Sequence, residues 1–274
     1  MKILIAADME GISGVVHWDH VDPAHKEYDR FRKLMTADVN AAVRGAFDAG
    51  AAEVIVADGH ASGRNILVEE LDARARLNSG SPSPLGMVQG AGSGIDAAMF
   101  VGYHARVGSH NAILDHTWSG TLVQGVSLNG RAVGEIGLNA AVCGHFGAPV
   151  IMIAGDQTAC AEAVDLLGEV ETAIVKRASG RMAAECLPPA VAQQRIEDAA
   201  REAVRRFIAG TAPAPLRFEQ PIVALLQFAH SDMADRAALL PGVRRVDGRQ
   251  IEIVTDNPVD AYRAFRAAVS LARP

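Results

Sequence analysis

The stretch ILIAADMEGISG, residues 3–14, joins a core-type strand to two charged side chains. Five apolar residues are followed by Asp8 and Glu10, with only Met9 between the two carboxylates. Continuous apolar character over so short a run is typical of a parallel strand that is covered on both faces. A strand that served the core alone would not need two neighbouring anions at its end. The stretch therefore predicts both a buried strand and a candidate functional site.

Three further runs have the same apolar character and indicate that the first strand belongs to a parallel sheet. They are AEVIVADGH (52–60), AAMFVGYH (97–104) and PVIMIAGD (149–156). Between the first two strands lies MTADVNAAVRGAFDAG (35–50), in which Val39, Val43 and Phe47 recur at helical spacing. Thr36 is the predicted N-cap of this helix, and Gly50 its predicted end. Strand, helix and strand in this order form a βαβ unit, which predicts an α/β core.

The last quarter of the chain has a different pattern, which predicts a second unit. A helical stretch at 190–208 is followed by a Pro-rich linker at 210–221 and then by strand (222–228), helix (231–240), strand (250–256) and helix (258–272). The predicted fold is a three-layer α/β core built on a parallel-type sheet, with a smaller C-terminal α+β subdomain. We predict an α/β metal-binding catalytic domain at 1–210 and the small subdomain at 211–274, packed on the core.

Composition narrows the function classes. The 274 residues are 49% hydrophobic and 21% charged, and they carry a formal net charge of −6. An acidic chain without a basic block is not expected to bind nucleic acid. No apolar run reaches the roughly 20 residues that a membrane span needs, and the N-terminus lacks a signal-peptide pattern. Three cysteines without Cys-x-x-Cys spacing predict buried thiols, neither disulfides nor a thiolate zinc site. We predict a cytoplasmic protein that contacts no membrane.

Titratable side chains follow each of the four predicted strands. Asp8 and Glu10 follow the first, His60 the second and His104 the third, and Glu135 comes just after a turn at 129–130. In open α/β sheets ligands bind at the carboxyl ends of the strands. Taken alone, the carboxylates are more typical of a solvated turn, His60 of a loop histidine and His104 of a core histidine. Their shared position at strand ends favours a common site.

Metal binding is the chemistry that needs two carboxylates this close together, because two adjacent anions repel each other unless a cation lies between them. A set of three carboxylates and two imidazoles suits Zn²⁺, Mn²⁺ or Co²⁺ better than Mg²⁺ or Ca²⁺. Five ligands exceed the three that are typical of one catalytic zinc. They suit two ions about 3.5–4 Å apart that share one carboxylate. Asp8 is the predicted bridge.

His116, in LDHTWSG (114–120), is the candidate catalytic histidine. Its pKa lies near neutral pH, so it can act as general acid or base beside the metals. An exposed turn histidine is an equally good interpretation of this stretch. Asp58 and Asp156, which also end strands, are predicted to hold loops or to support the ligands.

The same motifs resemble a known family. ADMEGISG, DGH, VGYHAR, DHTWSG, NGRAVGEIGLNA and VIMIAGD, followed by VKRASGRMAAECLPP (175–189), are similar in order and spacing to the zinc-dependent D-aminopeptidases of the bacterial dipeptide-transport operon. The resemblance implies a two-zinc aminopeptidase that removes N-terminal D-amino acids, especially D-Ala, from short peptides. It also implies a homo-decamer of two stacked pentamers that encloses its active sites.

Residue by residue, the resemblance implies a set of roles. Asp8 bridges the ions, Glu10 and His104 complete one site, His60 and Glu135 complete the other, and His116 is catalytic. Three positions depart from the family pattern, since Ala6, Gly59 and Asp115 stand where Ser is expected. Two other functions remain open: another binuclear metallohydrolase, such as a small-amide deacylase or a phosphoesterase, and a non-catalytic peptide- or metal-binding protein linked to transport.

Overall fold

A computed structural model of the protein describes residues 1–273. Its main sheet has seven strands in the spatial order β3-β2-β1-β4-β7-β8-β9, and all neighbours are parallel except the antiparallel pair β8–β9. The strands are β1 (Lys2–Ala7), β2 (Glu53–Asp58), β3 (Ala75–Asn78), β4 (Ala97–Tyr103), β7 (Val150–Asp156), β8 (Glu171–Gly180) and β9 (Ala183–Cys186). The predicted α/β fold class is confirmed.

A second, antiparallel sheet has five strands in the order β11-β12-β10-β5-β6. Its strands are β5 (Val123–Leu128), β6 (Arg131–Ala132), β10 (Ile222–Phe228), β11 (Val243–Arg245) and β12 (Gln250–Thr255). Three of them come from the C-terminal quarter, but β5 and β6 come from the middle of the chain. The second sheet therefore includes strands from both sides of residue 210. The predicted division of the chain at that residue stays a prediction.

Six α-helices complete the layers: α1 (Tyr28–Asp48), α2 (Glu135–His145), α3 (Gln157–Leu167), α4 (Pro189–Ile208), α5 (Ser231–Ala237) and α6 (Pro258–Leu271). Alternate β1 residues face opposite sides of the main sheet. Ile3 and Ile5 pack in the cluster that contains the buried faces of α1 and α4. Leu4 and Ala6 pack in the cluster that contains the buried faces of α2, α3 and α6 and the second sheet. The main sheet is thus covered on both faces, as its apolar strands require.

Helix α1 begins earlier than its predicted N-cap. Tyr28, Phe31 and Met35 extend the buried apolar stripe of the helix toward its N-terminus, so Thr36 lies in the helix interior. The Thr36 hydroxyl donates to the carbonyl of Arg32 and accepts from the N–H of Leu67, which ties the helix to the loop after β2. The prediction that Thr36 caps the helix is wrong for this reason.

Two further expectations differ from the structure. Cys143 and Cys160 are buried as predicted, but Cys186 is exposed at the end of β9. Val191 fits the apolar spacing of the helix at 190–208, yet its side chain is also exposed. Within residues 1–273, no helix is both long and apolar enough to cross a membrane.

Candidate metal centre and active site

The topology brings the four predicted strand ends together. β2, β1, β4 and β7 are consecutive neighbours in the main sheet, and all four run parallel. Asp8 follows β1 directly, His60 lies two residues beyond β2, and His104 follows β4. Glu135 is the first residue of α2, where the positive end of the helix dipole favours a carboxylate. The five predicted ligands are all buried.

Asp8 lies between two histidines. Its Oδ1 is 3.4 Å from Nδ1 of His60, and its Oδ2 is 3.4 Å from Nε2 of His104. Glu10 adds an oxygen on the His60 side, with Oε2 3.1 Å from His60 Nδ1. Glu135 adds one on the His104 side, with Oε1 3.2 Å from His104 Nε2. The carboxylate of Asp8 thus faces one imidazole with each of its oxygens, which is the arrangement that a bridging ligand needs.

Backbone carbonyls orient the three histidines of the site. A ring nitrogen of each imidazole lies within hydrogen-bond distance of a carbonyl: His60 Nε2 at 2.9 Å from Val21 O, His104 Nδ1 at 3.0 Å from Ala105 O, and His116 Nδ1 at 2.8 Å from Leu114 O. In a neutral imidazole only one nitrogen carries a proton, and these contacts place it at the carbonyl. The lone pair of the other nitrogen then faces the carboxylates, where a cation could bind both. Metal-binding histidines are commonly held in this way.

Two polar atoms in the centre of this cluster have no hydrogen-bond partner among residues 1–273. They are Oδ2 of Asp8 and Nε2 of His104, and both are fully buried. Buried polar atoms are nearly always paired, because leaving one unpaired is costly. A cation between the two atoms satisfies both at once. The donor set, three carboxylates with two imidazoles, also matches zinc chemistry. The residues present therefore fit a metal centre.

The electrostatics of the cluster also favour a bound metal. Burial, together with the charge of Glu10, raises the pKa of Asp8 to about 7. Burial also opposes ionisation of Glu10, but the neighbouring His60 outweighs it and holds the pKa of that carboxyl well below its usual value. Packing acidic groups this closely is unfavourable for a metal-free protein, and a divalent cation would reverse that balance.

Two groups of three side chains have ligand atoms that all lie within 4.8 Å of one another. One is Asp8, Glu10 and His104, which are the three residues assigned to one ion by the resemblance. The other is His104, Glu135 and His116. His60 contacts the Glu10 side of the cluster, and Glu135 contacts the His104 side. The predicted allocation of ligands between two ions stays a prediction.

His116 lies beside the Glu135 half of the centre. It is 8% exposed, its Nε2 is 3.8 Å from Glu135 Oε1, and its ring stacks on that of His104 at a centroid distance of 4.0 Å. The ring of Trp18 packs edge-on against it at 5.4 Å. Burial lowers the pKa of His116 below its usual value, so the imidazole is neutral at pH 7. The exposed-turn interpretation of this histidine is excluded by its burial.

Buried charged groups hold the loops that carry these residues. Asp58 accepts hydrogen bonds from the backbone N–H groups of Asn65 and Ile66, and the Asn65 amide donates to the carbonyl of His60. Asp156 caps α3 and accepts from the N–H of Ile113, at the start of the His116 loop. Both aspartates hold loops, the role predicted for them.

Lys176, on β8, was missed by the sequence analysis. Its buried ammonium donates to the carbonyls of Glu10, Ile12 and Val15 at 2.6, 2.8 and 2.7 Å, and so holds the loop that carries Asp8 and Glu10. The same loop lies against β4, since a Cβ on Gly11 would fall 2.0 Å from the carbonyl oxygen of Tyr103. Only glycine permits that approach. A charged residue inside an apolar strand was the one signal that could have revealed Lys176.

A cavity of about 330 Å³ opens onto the centre. Its lining includes four of the predicted ligands and His116, and the side chains of Trp18 and Trp118 form part of its wall. Arg273, near the C-terminus, also lines it. The size and concave shape suit a small ligand.

Comparison with known proteins decides the family. The family model described as D-aminopeptidase, peptidase family M55, matches residues 1–267. The chain belongs to this D-aminopeptidase family. It is 36% identical over 276 aligned positions to a D-aminopeptidase of Bacillus subtilis (strain 168), covering 99% of this chain and 98% of that protein. A solved structure, the Zn-dependent D-aminopeptidase DppA from Bacillus subtilis, a self-compartmentalizing protease, is similar with a TM-score of 0.95 and 35% identity over 99% and 98% of the two chains.

Family membership confirms the resemblance, and with it the prediction of a peptidase. Two departures from the expected motifs have structural consequences. A Cβ at Gly59 would lie 2.8 Å from the carbonyl oxygen of Ala7, so the loop after β2 lies closer to β1 than a serine allows. Asp115 accepts hydrogen bonds from the side chain of Arg181 and from the N–H of Gly108. This carboxylate joins the His116 loop to the β8–β9 hairpin.

Proposed function

We propose that the protein is a two-zinc aminopeptidase that releases N-terminal D-amino acids, D-Ala preferred, from short peptides and amides. The observation that carries the proposal is the carboxylate of Asp8, which faces His60 with one oxygen and His104 with the other. Family membership and the zinc dependence of the similar Bacillus subtilis enzyme support the reaction and the metal. The proposed ligands are Asp8, Glu10, His60, His104 and Glu135.

The chemistry divides between the metals and the chain. Zinc ions held by these ligands would polarise the scissile carbonyl and make a water nucleophilic at neutral pH. His116 is the proposed proton carrier. The contact of its Nδ1 with Leu114 O leaves Nε2 facing the centre, and its lowered pKa makes that nitrogen a proton acceptor at pH 7. It takes a proton from the attacking water and returns one to the leaving amine. Trp18 and His104 hold the ring in place by packing against it.

The assembly and the location belong to the same proposal. The similar Bacillus subtilis enzyme is a self-compartmentalizing protease, which supports an assembly of several copies. We propose a homo-decamer in the cytoplasm, acting on short D-amino-acid peptides and binding neither nucleic acid nor membrane. Sedimentation velocity of the purified protein tests the decamer, since a particle of any other size contradicts it.

The reaction is tested with the amides of D-Ala and L-Ala and the zinc-loaded protein, a chelated sample, and two variants. We expect fast, chelator-sensitive hydrolysis of the D form only. His116→Ala should lose about 10²–10⁴-fold in kcat, the usual contribution of a positioned acid–base group, while keeping its zinc. His110→Ala is the matched control, because His110 is exposed and lies six residues away on the same stretch of chain.

Other outcomes would favour the alternatives. Near wild-type turnover by His116→Ala would remove that residue from the mechanism. If neither amide is cleaved while zinc stays bound, a panel of acylated amines and phosphate esters separates a small-amide deacylase from a phosphoesterase. A protein that binds zinc and peptides and turns over nothing is the transport-linked binding protein.

A further inference from the structure

Arg273 brings a guanidinium group to the cavity of the metal centre. It lines that cavity together with His116, Trp118 and Ser81. It is the only lysine or arginine of the lining, whose other titratable members are Asp8, Glu10, Glu135, His60 and His116. Within residues 1–273, the guanidinium has no ion pair and no hydrogen bond. A permanent positive charge therefore faces the same space as the catalytic groups, and it has no partner among the described residues.

The backbone at this position is fixed, although it lies near the end of the chain. Ala272 is fully buried, and its N–H donates to the carbonyl of Ala268 in the last turn of α6. The Arg236 side chain on α5 donates to the carbonyl of Arg273 at 3.0 Å. Two contacts thus position the main chain, while the Arg273 side chain stays exposed toward the cavity. The fold therefore fixes the position from which the Arg273 side chain reaches the cavity.

We infer that Arg273 binds the C-terminal carboxylate of a short peptide whose amino-terminal residue occupies the metal centre. A guanidinium binds a carboxylate through two parallel hydrogen bonds, and one guanidinium balances the single negative charge of that carboxylate. The inference rests on the proposed aminopeptidase function and extends it from the reaction to substrate length. Peptides that reach from the metals to Arg273 gain this contact, whereas longer peptides and C-terminally blocked ones do not. Arg273 is then a specificity determinant and takes no part in the bond cleavage.

The test compares substrates that differ only at the carboxyl end. D-Ala-D-Ala carries the carboxylate, and D-Ala-D-Ala-amide does not. The variants are Arg273→Gln, which removes the charge, Arg273→Lys, which keeps it without the planar fork, and Arg263→Gln. Arg263 is the matched control because it is an exposed arginine of α6 that pairs with Asp260 and does not line the cavity.

We expect Arg273→Gln to raise the KM for D-Ala-D-Ala by about tenfold, the lower range for a charge-assisted contact because the site is open to solvent. Its kcat, and both constants for the amide, should change by less than about twofold. Arg273→Lys should recover part of the loss, and Arg263→Gln should behave as wild type. Equal losses on both substrates, or no loss on either, would overturn the inference.

Failure of the proposed function gives a different result. If the wild-type protein cleaves neither peptide, the aminopeptidase proposal is wrong, and the same pair of peptides is titrated into the zinc-loaded protein by calorimetry. Weaker binding of the free-acid peptide to Arg273→Gln, with unchanged binding of the amide, would keep the carboxylate site without the reaction. Equal binding of both peptides by both proteins would overturn the inference as well.

Discussion

Replacing Lys176 by methionine should weaken zinc binding and also lower the stability of the fold. Lys176 is 1% exposed, and the three N–H groups of its ammonium are matched by the carbonyls of Glu10, Ile12 and Val15. Burial lowers the pKa of Lys176 to about 8, so the group still carries its proton at pH 7. Methionine keeps the unbranched apolar stem and removes all three donors. The loop that holds Asp8 and Glu10 then loses its attachment to β8.

The expected change in the free energy of unfolding is the difference between two opposing contributions. Three buried carbonyls without a donor cost about 1–2 kcal/mol each, or about 3–6 kcal/mol in total. Burying the charged Lys176, whose pKa is lowered from 10.5 to about 8, costs about 3 kcal/mol of stability. Its removal therefore offsets that amount of the loss. The expected net loss in the free energy of unfolding is about 2 kcal/mol. Zinc affinity should fall about 10–100-fold, the usual effect of removing a group that supports a ligand loop.

The assay measures both quantities on the same samples. Zinc affinity at pH 7 is obtained by competition with a chromophoric chelator, and stability by urea unfolding of the metal-free protein. Lys33→Met is the control, because Lys33 is an exposed lysine on α1. If Lys176→Met bound zinc as tightly as wild type while losing stability, the hydrogen bonds would support only the fold. If it matched Lys33→Met in both measurements, the three contacts would have no energetic value.

Two further predictions concern buried aspartates. Asp8→Ala should retain neither zinc ion after dialysis, whereas the exposed Asp29→Ala should keep the wild-type metal content; elemental analysis that finds zinc in Asp8→Ala would contradict the bridging role. Asp38 accepts two hydrogen bonds from Ser13, and burial raises its pKa to about 6. Because the folded protein then binds more protons than the unfolded chain between pH 4 and 6, stability should fall by about 3 kcal/mol as pH rises through that window. Urea unfolding of the chelated wild type and Asp38→Asn should show their stability difference shifting by that amount between pH 4 and 7, and a constant difference would refute it.

The parallel strands that form the centre of the main sheet could be predicted because their apolar runs are continuous. The strands that escaped prediction lack that signal. β5 reads VQGVSL and alternates with polar residues, as a half-exposed antiparallel strand does. β8 reads ETAIVKRASG, in which Lys176 and Arg177 interrupt the apolar run. Lys176 is buried nonetheless, and its acceptors lie at least 161 positions away along the chain. The local sequence pattern does not indicate a contact between residues so far apart in the chain.

In the site, too, some residues could be predicted from the local sequence pattern and others could not. Four of the five proposed ligands follow strands of the main sheet, so their positions follow from the rule that parallel strands share a carboxyl edge. Glu135 begins α2 instead. Arg273 gave no such signal, since it lies just after a helix that packs on α2, α5 and the second sheet. Its place in the cavity depends on how the second sheet packs on the first. That packing cannot be deduced from periodicity alone.

Three buried charged residues, Asp58, Asp156 and Lys176, support the loops of the site. The sign of each charge matches the backbone groups that the supported loop presents to it. The loop after β2 and the loop before His116 present N–H groups, and carboxylates hold them: Asp58 accepts from Asn65 and Ile66, and Asp156 accepts from Ile113. The loop after β1 presents three carbonyls instead, and an ammonium holds it. The acid and base supports are therefore not interchangeable, because an exchange would set like partial charges against each other in a low dielectric. All three supports lie on strands of the main sheet, so the loops that carry the proposed ligands are oriented without a bound metal. We accordingly expect loss of a support to lower zinc affinity even where the sheet itself remains folded.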